Sequence, residues 1–200
     1  MARLLLSKSE LLAERRRLAA YQRFLPSLQM KRQQLMAAVN DSRRRLQQGH
    51  QALQQTQTFV ANELPLLADT SLQLDALLTD NGTDYHTVNI AGVRIQQVAR
   101  VNIDLPLPSL LTRPAWVLSL QQKLADAVTQ LRHNEAEEKA LQRLNHELTR
   151  VTQRVNLFEK VLIPEAQGNI RKIQIFLDDK AREAVVTSKI AKKKNLEKSA

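Results

Sequence analysis

The stretch LQRLNHELTRVTQRVNLFEKVL, residues 141–162, places Leu141, Leu144, Leu148, Val151, Val155, Phe158 and Leu162 at spacings that alternate three and four. Such a spacing keeps apolar side chains on one narrow stripe of a helix, the a/d seam of a coiled coil. The seam continues less regularly through Ile170, Ile173, Phe176 and Leu177 and begins earlier, at Val117, Leu120, Leu124, Val128 and Leu131. Glu135 and Glu138 weaken it in between, and Pro164 with Gly168 predicts a bend. A helix is therefore expected over residues 115–194.

A stripe of that length needs a partner, and the first third of the chain supplies one. Counted in sevens, Leu11, Leu18, Leu25, Arg32, Val39, Leu46, Leu53, Val60, Leu67 and Leu74 form a row with one polar member. An ideal helix drifts by about 20° per heptad, so only a left-handed supercoil keeps this row on one face. The companion row, Tyr21, Leu28, Leu35, Ser42, Gly49 and Thr56, reads as the weaker contact. Pro26 and Pro65 each remove a backbone donor and are expected to bend or divide this helix. Residues 9–78 as one helix would span roughly 105 Å.

Thr79-Asp80-Asn81-Gly82 is a turn signal that should stop the first helix. Two alternating segments rich in β-branched residues follow, Thr87 to Ile95 and Val98 to Leu105, and read as a small hairpin; Gln96-Gln97 between them is a poor turn by composition, which leaves the register open. Pro106, Pro108 and Pro114 close the insert. The expected division is a coiled-coil helix over 1–79, a turn and β-hairpin over 80–114, a second coiled-coil helix over 115–194 and a basic tail over 195–200. The expected fold class is all-α with a small β-hairpin insert, a long two-helix antiparallel left-handed coiled coil. Leu141, Leu148, Val155 and Leu162 are expected to face Leu18, Leu25, Val39 and Leu46.

Composition agrees with a seam rather than a ball. Aromatic residues make up 4% of the 200, and there are four glycines, six prolines and no cysteine. No disulfide framework or thiolate metal site is possible. No uncharged apolar run reaches the roughly 18 residues of a membrane span, and Lys8 and Glu10 interrupt the apolar start before a signal peptide can form. The chain is expected to be soluble, with any membrane link made through partners. The net charge of +10 sits at the ends: residues 1–50 hold eleven Lys/Arg against three acids, and residues 189–200 hold five lysines against Glu197. Fold-back brings these two ends to one tip and leaves the hairpin at or near the other.

Catalytic constellations are missing from the sequence. There is no P-loop and no G-x-S-x-G, and His50, His86, His133 and His146 lack H-E-x-x-H spacing. Glu135, Glu137 and Glu138, like Asp178 and Asp179, read as solvated helix faces. No catalytic, cofactor or metal site is expected. The arginine triplets 15–17 and 43–45 raise nucleic-acid binding. Consecutive helix positions diverge by about 100°, however, and no aromatics are interleaved for base stacking, so no nucleic-acid partner is expected.

Three segments resemble one known family. Arg154-Val155-Asn156-Leu157-Phe158-Glu159-Lys160-Val161-Leu162-Ile163-Pro164, with Ile170, Ile173, Leu177, Arg182 and Glu183 following, is similar to the signature of the D subunit of V/A-type (vacuolar/archaeal-type) ATPases. Leu28-Gln29-Met30-Lys31-Arg32-Gln33-Gln34-Leu35 resembles that family's L-x-x-K-R-x-x-L segment, and Gly92-Val93 its hairpin Gly-Val. Ala184-Val185-Val186 stands where the family often has aromatics, and Pro26 is a further departure. The resemblance implies a non-enzymatic central rotor shaft, cytoplasmic and peripheral on the membrane. Its implied partners are a hexamer of catalytic A and non-catalytic B subunits, a small F subunit and a funnel-like subunit above the membrane ring. Arg15, Arg16 and Arg17 with Lys192, Lys193 and Lys194 are the expected hexamer contact. A stalk-like partner of a secretion export ATPase is the nearest alternative; those chains lack the R-V-N…I-P element and the inserted strands.

Overall fold

The computed structural model describes residues 5–63, 77–106 and 116–198. Helix α1 spans Lys8–Glu63, strand β1 Thr79–Ile90, strand β2 Val93–Asp104 and helix α2 Trp116–Leu157. A π-turn over Phe158–Leu162 joins α2 to helix α3, Ile163–Lys198. The chain is all-α with a two-stranded antiparallel hairpin inserted between its long helices. Pro65, Leu67, Leu74, Pro108 and Pro114 lie outside the described residues.

A serine caps the start of α1. The Ser7 hydroxyl accepts the Glu10 N–H at 3.2 Å, and the Ser7 carbonyl accepts the Leu11 N–H at 3.0 Å. The helix then runs through Pro26 as one element. Both heptad rows of α1 are withdrawn from solvent, yet the row of small and polar residues lies deeper. Glu14, Leu35, Ser42 and Gly49 are buried there, whereas in the leucine row Val39 alone is buried among the described residues. Small side chains admit the partner helix closely, so apolarity alone ranks the rows in the wrong order.

The chain forms two compact units, one of Met1–Lys31 with Arg150–Ala200 and one of Arg32–Thr149. In the second unit α1 and α2 run antiparallel, with the Arg45 guanidinium hydrogen-bonded to Glu137 and Gly49 set against Asn134. A Cβ built on Gly49 would lie 1.9 Å from Asn134 Oδ1, which is why that position carries no side chain.

The hairpin turns at Ala91-Gly92, five residues before the Gln96-Gln97 pair that separates the expected strands. Both turn residues have positive φ, 50° and 83°, the geometry of a type I′ turn. Glycine meets that demand and glutamine does not, so Gln96 and Gln97 lie inside β2, opposite Thr87 and His86. Asp80-Asn81-Gly82, read as a helix stop, is a bulge near the start of β1, with Gly82 at φ 100° and its N–H donated to Asp80 Oδ1. The hairpin also packs along the helices rather than beyond their end. Val93 and Ile95 are buried, Arg132 of α2 bonds Asp80, and Arg143 donates to the Arg94 carbonyl at 3.5 Å.

In the first unit, the Tyr21 ring meets the Phe158 ring edge-on, with centroids 5.4 Å apart. Val151, Val155, Ala166 and Ile173 are buried and hold this end of the seam. The bend expected from Pro164 takes the form of the π-turn. Ile163 donates its N–H to the Phe158 carbonyl, five residues back, and Pro164, without an N–H, follows at once.

Candidate functional site

The expected seam residues divide by depth. Leu144, Val151 and Val155 are buried on α2 and Val39 on α1, whereas Leu11, Leu18, Leu25, Leu46, Leu53, Leu141, Leu148, Phe158 and Leu162 are half-buried. Of the motif residues, Lys31, Arg32 and Asn156 are half-buried, whereas Arg154, Glu159 and Pro164 are exposed at or beside the π-turn. Gly92 forms the hairpin turn. Arg182 pairs weakly with Asp179 at 3.7 Å, and Glu183 is exposed.

The basic residues at the two chain ends are not brought side by side. Burial along α3 stops at Phe176 and Leu177, and every residue over 178–195 is exposed. Since Tyr21 stands beside Phe158, Arg15 and Arg16 lie near the start of α3. Lys192, Lys193 and Lys194 are then some 40 Å further along the helix at about 1.5 Å per residue. The charge of the chain's end is thus carried on an extended helix segment. That segment also exposes apolar side chains: Val185, Val186 and Ile190 are each more than half exposed. Scattered surface apolar residues are ordinary; here three fall within six residues on a segment that buries nothing.

Within the arginine triplet the three residues differ. All three are exposed, and Arg17 in addition donates its guanidinium to Glu14 at 2.5 Å and to Glu10 at 3.4 Å. The hydrogen bond to Glu14 holds the Arg17 pKa above its ordinary value, aided by the charges of Glu14 and Glu10. Glu14 itself is buried at a seam position and so needs this cation. Arg17 therefore secures Glu14, and the charge of Arg15 and Arg16 is left for other groups.

The hairpin is the second surface. Gln121, buried on α2, donates its side-chain amide to the carbonyls of Leu77 and Pro106, both at 2.8 Å, and so clamps the two ends of the insert to one helix. Leu77, Val117 and Leu120 pack beneath this clamp, with Trp116 and Leu124 against them. At the bulge, Arg132 holds Asp80 at 2.6 Å. The hydrogen bond from Arg132, then that from the Gly82 N–H, keeps the Asp80 carboxyl below the usual carboxylate range. No sequence pattern around Gln121 points to this role; a lone glutamine on a helix carries no signal of two carbonyls waiting across space.

A cleft of 630 Å³ lies among α1, α2 and β2, lined by Arg45, Gln48, Gly49, Gln97, Gln130 and Asn134 among others. Asn134 Oδ1 accepts from Gln130 at 3.0 Å, and its Nδ2 has no partner. The cleft's polar lining is side-chain amides, the Arg45–Glu137 ion pair and His133. His50, His86, His133 and His146 are all exposed, and among the described residues no three His, Asp or Glu side chains are grouped to hold a metal ion. Among the same residues no helix is long and apolar enough to cross a membrane.

Comparison with known proteins matches residues 10–193 to the family model for the D subunit of ATP synthase. The D subunit of the V-type ATP synthase of Chlamydia trachomatis serovar L2 is 34% identical over 197 residues, covering 94% of each chain. That of Chlamydia muridarum is 33% identical over 194 residues, again covering 94% of each. The Borreliella burgdorferi protein of the same name is 30% identical over 203 residues, covering 100% of this chain and 98% of its own. Both long helices, the hairpin and most of the exposed end of α3 fall within the matched span, and the chain belongs to the D-subunit family of ATP synthases.

Proposed function

We propose that this chain is the central rotor shaft of a V-type rotary ATPase, a non-catalytic subunit that carries torque between an ATP-hydrolysing or ATP-synthesising hexamer and a membrane ring that moves ions. The observation that carries the reading is the family match over 10–193, laid on a chain whose long helices pair antiparallel in each unit. Torque transmission asks for that form. Two helices zipped along a seam resist twist together, because turning one against the other exposes the apolar rows that the pairing buries.

On this reading the exposed end of α3 enters the hexamer of A and B subunits, and Val185, Val186 and Ile190 find apolar cover there. Arg15, Arg16, Lys192, Lys193 and Lys194 face polar or acidic hexamer residues as a bearing. The hairpin meets the small F subunit or the lower rim of the hexamer, and the opposite end of the shaft sits on the funnel-like subunit. The complex is peripheral on the cytoplasmic face of its membrane, and no step of the ATP chemistry is assigned to this chain.

The test is assembly with purified A and B subunits. Replacing Arg15, Arg16, Lys192, Lys193 and Lys194 by Gln should weaken binding at low salt and flatten its salt dependence. Unchanged affinity and unchanged salt dependence would remove the bearing role. Failure of the unaltered chain to join the hexamer would remove the shaft reading itself.

A further inference from the structure

The buried positions of the second helix carry a counting irregularity. One row runs Leu144, Val151, Phe158 in sevens, then resumes eight residues on at Ala166 and continues to Ile173. The other runs Leu148 and Val155, resumes eight on at Ile163, and continues in sevens to Ile170 and Leu177. The rows of α1 show no such step: from Leu11 to Val60, and from Glu14 to Thr56, each advances in sevens without a skipped residue. One helix of the pair thus contains one residue more than its partner, and the surplus falls within Phe158–Leu162, where the backbone is wound as a π-turn.

The π-turn is forced by packing on both sides. Wound as α-helix, the extra residue would rotate everything after it by about 100° and take Ala166 and Ile173 off the seam. Locally the turn has little to hold it. It buries no residue, and Glu159, Lys160 and Val161 are all exposed. The Ile163 N–H reaches back five residues instead of four, and Pro164 then supplies no donor to the carbonyl four before it. Beyond it, a Cβ on Gly168 would meet nothing within 4 Å. The neighbouring seam is pinned and Phe158 rests on Tyr21, whereas the rest of the joint has stretched backbone bonding and exposed side chains at 159–161.

We infer that Phe158–Leu162 is a slip joint, the place where this coiled-coil unit opens and twists first. Its role in taking up twist that arrives through the exposed end of α3 rests on the shaft reading; the local weakness does not. Hydrogen exchange on the intact chain separates the two. Amides of residues 159–163 should exchange at least roughly tenfold faster than those of residues 150–157. Deleting Val161 restores sevens on both rows, so the seam stays in phase, exchange at the joint should fall to the flanking rate, and the midpoint of thermal unfolding should rise. Pro164→Ala keeps the extra residue, so exchange should remain fast there; slowing to the flanking rate would assign the weakness to proline alone and overturn the phase account. Equal exchange across 150–163 in the unaltered chain would overturn the joint itself, whether or not the deletion variant folds.

Discussion

The unit of residues 32–149 and the unit built from the two chain ends use the same helix pairing, but only the first is braced from outside the seam. In the braced unit the hairpin lies against the helices through Ile95, Gln121 holds both of its ends, and Arg45 and Arg132 tie separate elements together. The other unit has a seam of Val151, Val155, Ala166 and Ile173, one ring contact and a π-turn, and its last helix buries nothing over 178–195. A narrow seam buries few apolar side chains per turn, so bracing from a third element decides which part is stiff.

The comparison predicts uneven loss of stability, and even loss would break it. Leu144→Ala, at a fully buried seam position within the braced unit, should cost about 3 kcal/mol in denaturant unfolding. Ile173→Ala, on the thinner seam, should cost less although Ile173 is equally buried; equal costs would erase the distinction. Gln121→Leu leaves two carbonyls without their donor and should cost about 2 kcal/mol, with faster amide exchange at both ends of the hairpin.

Smaller effects sharpen it. Gly49→Ala gains helix propensity but must push Asn134 and Gln130 aside, for a net loss of about 1 kcal/mol. Combining it with Asn134→Ala should recover part of that loss, and no recovery would place the strain elsewhere. Ala91→Asn suits the left-handed φ of the turn and should stabilise the hairpin by about 0.5 kcal/mol, read as slower exchange in β1 and β2. The smallest effect is acid loosening at Asp80. Its carboxyl is held below its unfolded value, so its contribution is present above about pH 4 and fades as pH falls further. Exchange at the bulge should rise there in the unaltered chain and be insensitive to pH in Asp80→Asn.

Periodicity makes the helices legible, because only a supercoiled pair holds a sevenfold apolar row against one partner, and the three quoted segments make the family legible. The hairpin's existence is legible from β-branched alternation, but not its register. The Ala91-Gly92 turn hides behind an alanine, a residue that rarely takes positive φ, so alternation alone carries the strands past it to Gln96. The depth of Ser42 and Gly49 is illegible because closeness of helices is a tertiary property that small residues permit without announcing. The steps from Val155 to Ile163 and from Phe158 to Ala166 stand in the sequence as eights, but only the partner helix, which keeps its sevens, turns that irregularity into a π-turn. The exposed end of α3 follows only once the starting point of α1 opposite it is known.

Rotation tests the central claim most directly. The chain has no cysteine, so Gln96→Cys, on an exposed position of the hairpin, gives a single attachment point for a bead. With the hexamer of A and B subunits fixed to a surface and this chain bound to it, ATP should turn the bead continuously in one direction. A bead that stays still while the same complexes hydrolyse ATP would contradict the shaft.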